Sequence, residues 1–323
     1  MEKYTKKQPI NTINENDVVE DIFVVKIKKS IRPYTKGYSF DLILSDSSGG
    51  SLEYKYWGGP NEEEVKAVFN SILPDSVVFI TGRAGKYNNK MQISANDTNQ
   101  LKVLTPEEYE ANFIRGPKKD VELMYTKLME KANSIEDPAI KSFVLEILGE
   151  FEDKLKIHPG AIMIHHAWKG GLVQHILEII EYCETSSELF SELDRDILIA
   201  GALLHDIGKL EEIEATTRLK GSRKGQLISH LVIGVNYLAE KLKNSSIDEL
   251  KKEKLLHVVL THHGKIEHGS PKPPMIPEAF ALYYADELSS KLSEIVDFVE
   301  EHKNKTEDDF MFSRRHGSNI FLR

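Results

Sequence analysis

Two periods organise the apolar and polar positions of this chain. From Asp17 to about Val103 the apolar residues come in short runs, often alternating with polar ones: "VVEDIFVVKIKKSIRPY", "YSFDLILSD", "GSLEYKYWGG" and "DSVVFITGRAGKYNNKMQISAN". Runs of this length, rich in Val, Ile, Phe and Tyr and punctuated by Gly, Asn and Asp, predict β-strands. One stretch among them, "NEEEVKAVFNSIL", has helical spacing instead. Five strands with a helix between the third and fourth predict a small barrel. At "LTPEEYEANF" the strand pattern stops. Thr105 can cap a helix there and Pro106 can occupy its first turn, which places a boundary at about residue 112.

After that boundary the period is helical. "DVELMYTKLMEKANSI", "DPAIKSFVLEILGEFEDKLKIHP", "GGLVQHILEIIEYCETS", "DRDILIAGALLHDIGKL", "SHLVIGVNYLAEKL", "IDELKKEKLLHVVLTHHG" and "IPEAFALYYADELSSKLSEIVDFVEEH" all space their apolar residues by three and four. The barrel order is that of an OB-fold. The expected architecture is therefore two-domain: an all-β OB-fold over residues 1–112, then an all-α helical bundle over 113–310. Residues 311–323 show no period and are expected to form a loosely attached tail. "DVELMYTKLMEKANSI" also offers an apolar face for a homo-oligomer.

Composition narrows the class. With 323 residues, 40% hydrophobic and 29% charged, the chain can bury two cores. Neither a signal peptide nor a long uncharged apolar run is evident, so the expectation is a cytoplasmic protein without a membrane partner. A lone Cys183 forms no internal disulfide or zinc ribbon and reads as a small buried residue. The net charge of −9 excludes a chain-wide basic surface, so any nucleic-acid site must be local. Most of the twelve histidines lie between residues 158 and 268.

Those histidines sit in apolar helical sequence, where an unpaired ionisable group is costly. In "ALLHDIGKL", His205 and Asp206 are adjacent at the end of a hydrophobic run. Neighbouring helical residues point about 100° apart, so both reach one centre only if a cation lies beside the helix end. Taken alone, the pair also fits a buried His–Asp hydrogen bond. It is not alone: His175, His230, His262, His263 and Asp286 are embedded in other apolar helices. One shared metal site explains the set, whereas separate buried hydrogen bonds need separate explanations. Imidazole and carboxylate donors suit manganese, iron or zinc.

The order His175, His205-Asp206, Asp286 resembles the HD superfamily of metal-dependent phosphohydrolases, and His230 with His262-His263 match the further ligands of its two-metal members. "HHAWKGGLVQHI", "LLHDIGKL", "SHLVIG" and "THHGKIEHGSPKPPMIPEAFALYYADELSSK" are similar to the YhaM family of 3′→5′ exoribonucleases, which carry an N-terminal OB-fold. The resemblance implies that His175, His205, Asp206 and Asp286 hold one ion and that Asp206 bridges to a second held by His230 and His262. His263 is then a ligand or a support. It implies two divalent ions, Mn²⁺ before Fe, Zn, Co, Ni or Mg, which can hold a bridging hydroxide in line with a scissile phosphorus. Family members often follow the last ligand with "DxLD", and here the fourth letter is Ser289. The catalytic candidates are Asp206, Lys209, His165 and His166. Lys209 either meets a phosphate oxygen or pairs with a helix C-terminus. His165 and His166 either protonate a leaving 3′ oxygen, grip phosphate, or simply cap a helix.

The barrel carries cationic and aromatic residues in alternation. Lys28, Arg32, Tyr34, Tyr56, Trp57, Arg83, Lys86 and Tyr87 are the candidate contacts to a single strand, with charges following the backbone and rings stacking on bases. Any one of these aromatics can equally belong to the barrel core. The expected function is metal-dependent 3′-5′ hydrolysis of single-stranded RNA, and of single-stranded DNA as a further candidate, releasing nucleoside 5′-monophosphates. A phosphohydrolase of small or cyclic nucleotides and a non-catalytic single-strand-binding regulator are the alternatives.

Overall fold

A computed structural model describes the chain except for residues 1, 2, 88, 89, 96–100, 112, 163–165 and 305. His165 lies among the residues outside that description. The chain divides into two compact units, Met1–Gly116 with Ala215–Arg218, and Pro117–Glu214 with Leu219–Arg323.

The first unit is mostly strands in one sheet: β1 (Val18–Lys28), β2 (Gly37–Ser45), β3 (Ser51–Trp57), β4 (Val77–Tyr87), β5 (Lys90–Ala95) and β6 (Leu101–Leu104), with helix α1 (Glu62–Ser71) between β3 and β4. β1 pairs antiparallel with both β2 and β4, serving two neighbours across a register shift between Val25 and Ile27. β2 pairs with β3, β3 runs parallel to β5, and β5 folds back on β4, so the pairings return to β1. The alternation of side chains sets the inner face. In β3, Leu52, Tyr54 and Tyr56 are buried, while Glu53, Lys55 and Trp57 alternate on the other side. Asn61 caps α1, accepting from the Glu63 amide at 3.1 Å, and Val65 and Ile72 pack into the same core.

No helix starts at Thr105. Residues 105–108 form a turn and the chain continues as a strand at Tyr109–Glu110, parallel to Tyr4–Thr5. The rings of Tyr109 and Phe113, 6.0 Å apart, pack beneath that pair and favour the extended chain.

The second unit is a helical bundle: α2 (Val121–Asn133), α3 (Pro138–Glu150), α4 (Glu152–Ile157), α5 (Gly171–Leu189), α6 (Arg195–Leu204), α7 (Lys209–Glu212), α8 (Arg223–Ile228), α9 (His230–Leu242), α10 (Glu249–Thr261) and α11 (Pro277–His302). Aspartates cap several helices: Asp120, Asp137, Asp194 and Asp248 accept from the first-turn amides of α2, α3, α6 and α10. Every residue of α6 from Ile197 to Leu204 is buried, and the helix packs against α2, α3, α5, α10 and α11. Its C-terminal end is thereby delivered to the middle of the bundle.

Two expectations need correction here. The apolar face of α2 is spent inside, with Met124, Tyr125, Leu128 and Ala132 in the core, so it offers no broad surface for a second copy. The C-terminal segment is not a loose tail: Phe310–Ser313 pairs antiparallel with Ser318–Phe321 and Leu322 is buried. Gly317, at φ 62°, turns that hairpin, a conformation that leaves no helical or strand period in the sequence. Among the described residues no helix is long and apolar enough to cross a membrane.

Candidate metal centre

The turn after α6 carries His205 and Asp206. It approaches the start of α9 so closely that a Cβ added at Gly208 would lie 2.1 Å from the carbonyl oxygen of His230. Glycine is what lets these two segments touch. On the other side, Gly170 takes φ 73° as the N-cap of α5, and a Cβ at Gly171 would lie 2.0 Å from the His166 carbonyl oxygen. The glycine pair before His175 thus admits the preceding loop against the helix.

Around Asp206 the histidines converge. His175 Nε2 and His205 Nε2 lie 3.4 Å and 3.2 Å from Asp206 Oδ2, and His230 Nε2 and His262 Nε2 each lie 3.6 Å from Oδ1. Asp286, from within α11, places Oδ1 at 3.2 Å from His175 Nε2. His263 Nε2 is 3.2 Å from His230 Nε2. Two triplets of donor atoms, His175, His205 and Asp206 on one side and His230, His262 and His263 on the other, each fall within 4.8 Å. All seven expected ligand positions are brought together.

The far nitrogens decide which atoms face inward. His205 Nδ1 donates to the Ala202 carbonyl at 2.8 Å, His262 Nδ1 to the Val259 carbonyl at 2.7 Å, and His263 Nδ1 to the His268 carbonyl at 3.1 Å. His230 Nδ1 lies 2.8 Å from Glu212 Oε2. A carbonyl or carboxylate oxygen can only accept, so a neutral ring carries its proton there and turns the Nε2 lone pair to the centre. Among the described residues, Asp206 Oδ1 and His205 Nε2 are buried without a hydrogen-bond partner, and Asp206 Oδ2 faces the Lys209 ammonium at 2.6 Å. Buried lone pairs aimed at one another repel unless a cation or proton stands between them. The donor set therefore fits divalent metal.

Charge follows the same geometry. Burial opposes ionisation of Asp206, but Lys209, whose Nζ is 2.6 Å from Oδ2, and the surrounding histidines hold the carboxyl well below its usual range. Burial likewise opposes charging of Lys209, and the carboxylates of Asp206 and Asp286 outweigh it and raise its pKa. Burial would lower His175, yet its hydrogen bonds to Asp206 and Asp286 lift it to about 9. His263 is pushed down to about 4 by burial and by neighbouring His262. Lys209 opens α7 and belongs to the centre rather than to a helix C-terminus.

His166 does not face an open cleft. It is fully buried and its Nε2 lies 3.0 Å from Glu178 Oε2, so in this conformation it supports the centre from behind and cannot grip a phosphate. Glu178 and Glu212 were not anticipated from the sequence. Both are acids on mixed helical faces, where a solvated residue and a buried support look alike.

On the strand unit the candidates separate. Tyr56 is buried and stacks on Phe40 at 4.6 Å, so its ring is closed to bases. Lys28 Nζ donates to the carbonyls of Phe69 and Ile72 at 2.8 Å and 2.7 Å, closing the end of α1. Tyr34 packs against Trp57 at 4.7 Å and donates its hydroxyl to the Gly58 carbonyl. Arg83 donates to the Asn16 carbonyl at 3.2 Å, and Lys86 sits 3.7 Å from Glu15. Arg32 and Tyr87 do share a groove of about 280 Å³, with Lys29, Lys55, Lys90 and Gln92. Arg32 is paired with Asp41 and Lys29 with Glu53, while Tyr87 is 68% exposed.

Residues 172–291 match the HD domain family. The chain is 31% identical over 292 residues to the 3′-5′ exoribonuclease YhaM of Geobacillus sp. (strain WCH70), a match covering 86% of this chain and 85% of that relative. A solved structure, OBody AM1L10 bound to hen egg-white lysozyme, aligns with 32% of this chain and 98% of its own at 18% identity and a TM-score of 0.24.

Proposed function

The chain belongs to the YhaM family of 3′-5′ exoribonucleases and is a metal-dependent hydrolase; from that premise we propose that it shortens single-stranded RNA from the 3′ end and releases nucleoside 5′-monophosphates. The observation that carries this reading is the convergence of five histidines and two aspartates in a buried centre, with backbone carbonyls behind His205 and His262 turning their Nε2 atoms inward. His175, His205 and Asp286 would hold one divalent ion, His230, His262 and His263 a second, with Asp206 shared. The resemblance favours Mn²⁺, and Fe, Zn, Co, Ni or Mg would meet the same donors. Such ions, when bound, supply Lewis acidity toward the scissile phosphate and lower the pKa of an attacking water. Lys209 keeps a positive charge at the edge of the centre, where a phosphate oxygen of the terminal nucleotide would lie.

We read the strand unit as an OB-fold, supported by the cycle of pairings and by α1 between β3 and β4. Its groove, with Lys55, Lys90 and exposed Tyr87, suits a single strand held by its backbone and stacked without sequence readout. The cytoplasm is the expected location, and a homo-oligomer the expected state.

The test is a 5′-labelled oligoribonucleotide and its DNA counterpart, each incubated with Mn²⁺, Mg²⁺ or chelator. RNA should shorten from the 3′ end in Mn²⁺ and stay intact in chelator, and the DNA lane reports sugar preference. Asp206→Asn removes the shared carboxylate charge and should slow cleavage on the order of 10³-fold while leaving RNA retention unchanged. Undiminished cleavage by that variant would remove the basis for this assignment, and turnover confined to free nucleotides would favour the small-nucleotide alternative.

A further inference from the structure

His175 is supported differently from its partners. His205, His262 and His263 give their Nδ1 protons to backbone carbonyls, and His230 faces the carboxylate of Glu212. His175 Nδ1 meets a hydroxyl instead, Ser289 Oγ at 3.4 Å. A hydroxyl is ambivalent, since it can accept the ring proton or donate its own. What removes the ambiguity is Glu178, whose Oε2 lies 3.1 Å from Ser289 Oγ as acceptor. The single hydroxyl proton is thereby committed to the carboxylate, and Oγ is left to accept from His175 Nδ1.

We propose that Glu178 and Ser289 form a two-step relay that positions His175 for metal, with the carboxylate of Glu178 acting through Ser289 where a single acid would otherwise touch the ring. The proposal rests on the reading of the centre as a metal site. The helices supply the parts at matching spacing: Glu178 follows His175 by three residues on α5, and Ser289 follows Asp286 by three on α11, so each helix presents a ligand and its support on one face. Glu178 is itself held. His166 Nε2 lies 3.0 Å from its Oε2 and Gln174 Nε2 donates to its Oε1 at 2.9 Å, which fixes the carboxylate plane. Burial works against the charge on Glu178, yet these hydrogen bonds, that of His166 foremost, keep it ionised with a pKa of about 2. Without that charge the Ser289 hydroxyl is free to rotate its proton onto Nδ1. The ring proton then belongs on Nε2, the atom that must bind metal.

The relay is a positioning device, and its test reads metal affinity rather than turnover. Mn²⁺ is titrated into the metal-free full-length protein by calorimetry, for the wild type, Glu178→Gln, Ser289→Ala, their double variant, and Glu178→Gln combined with Ser289→Asp. Each single change should weaken binding at one site roughly ten- to a hundredfold. The Gln/Ala double variant should lose no more than either single, because both cut the same chain of bonds. Moving the acid onto α11, in the Gln/Asp variant, should restore affinity to within about threefold, a rescue that a merely structural role for Glu178 does not predict. Additive losses in the Gln/Ala variant, or wild-type affinity in Glu178→Gln, would overturn the relay while leaving the metal centre standing. No Mn²⁺ uptake by the wild type would sink both.

Discussion

Each imidazole of the candidate centre has a second atom behind it, and Glu212 shows how much rests there. Its Oε1 accepts the His230 backbone amide at 2.8 Å, while Oε2 faces His230 Nδ1. Burial resists its charge, but the hydrogen bond to the His230 ring lowers its pKa. Glu212→Gln keeps the shape and the amide contact but weakens the pull on the ring proton. It should cost roughly ten- to a hundredfold in Mn²⁺ affinity at one of the two proposed metal sites. Calorimetric stoichiometry checks this, and two unchanged sites would show that Glu212 serves only the start of α9. The candidate ligands were legible in the sequence because a histidine or aspartate inside an apolar run is conspicuous. Their supports were not, because Glu178 and Glu212 lie beside other acids on half-polar faces, where spacing cannot tell a buried carboxylate from a solvated one. Tyr56 and Lys28 failed for a related reason. Alternation assigns residues to the two faces of a strand but does not say which face is inside.

Among elements, the turn between α6 and α7 is one of the two tightest backbone approaches in the centre, beside that of Gly171. A methyl at Gly208 would meet the His230 carbonyl oxygen at 2.1 Å and the Gly234 amide nitrogen at 2.7 Å, both backbone atoms that cannot swing aside. Gly208→Ala should therefore destabilise the fold by about 1–3 kcal/mol. It should also push α9, and His230 with it, away from Asp206, so cleavage falls further than stability alone explains. Urea unfolding and cleavage assays on the same preparation test both parts. Wild-type values in each would mean that the two backbones are not in contact. The long helices were readable from period, and α6 most clearly, since an unbroken apolar run must be central; the short α7 and α8 were not. The C-terminal hairpin was not, because two four-residue strands around a turn at Gly317 carry too few letters for any period to show.

For the molecule as a whole, the feature left unexplained by a single chain is the outer face of α11. Phe280, Tyr284, Leu288, Leu292 and Val296 recur every four residues and are 44–62% exposed. Beside them a groove of about 560 Å³ runs between α5 and α11, lined by Tyr182, Phe190 and Leu193. With Leu189 and Phe190 these side chains leave on the order of 700 Å² of apolar surface in water, near the roughly 800 Å² per partner that a standard interface buries. A second copy is the occupant we propose for this face. If two copies cross antiparallel at Leu288, their ridges of fourth residues would pack at about −50° and Glu287 of each copy would lie toward Lys291 of the other. The expected state is thus at least a dimer through α11, not through α2. Leu288→Asp, which places two like charges at the crossing, should convert it to monomer at micromolar concentration by light scattering after size exclusion. Hydrolysis of a dinucleotide, which needs only one centre, should persist. An unchanged mass for Leu288→Asp, or a wild type that is already monomeric, would rule this face out as the contact between copies.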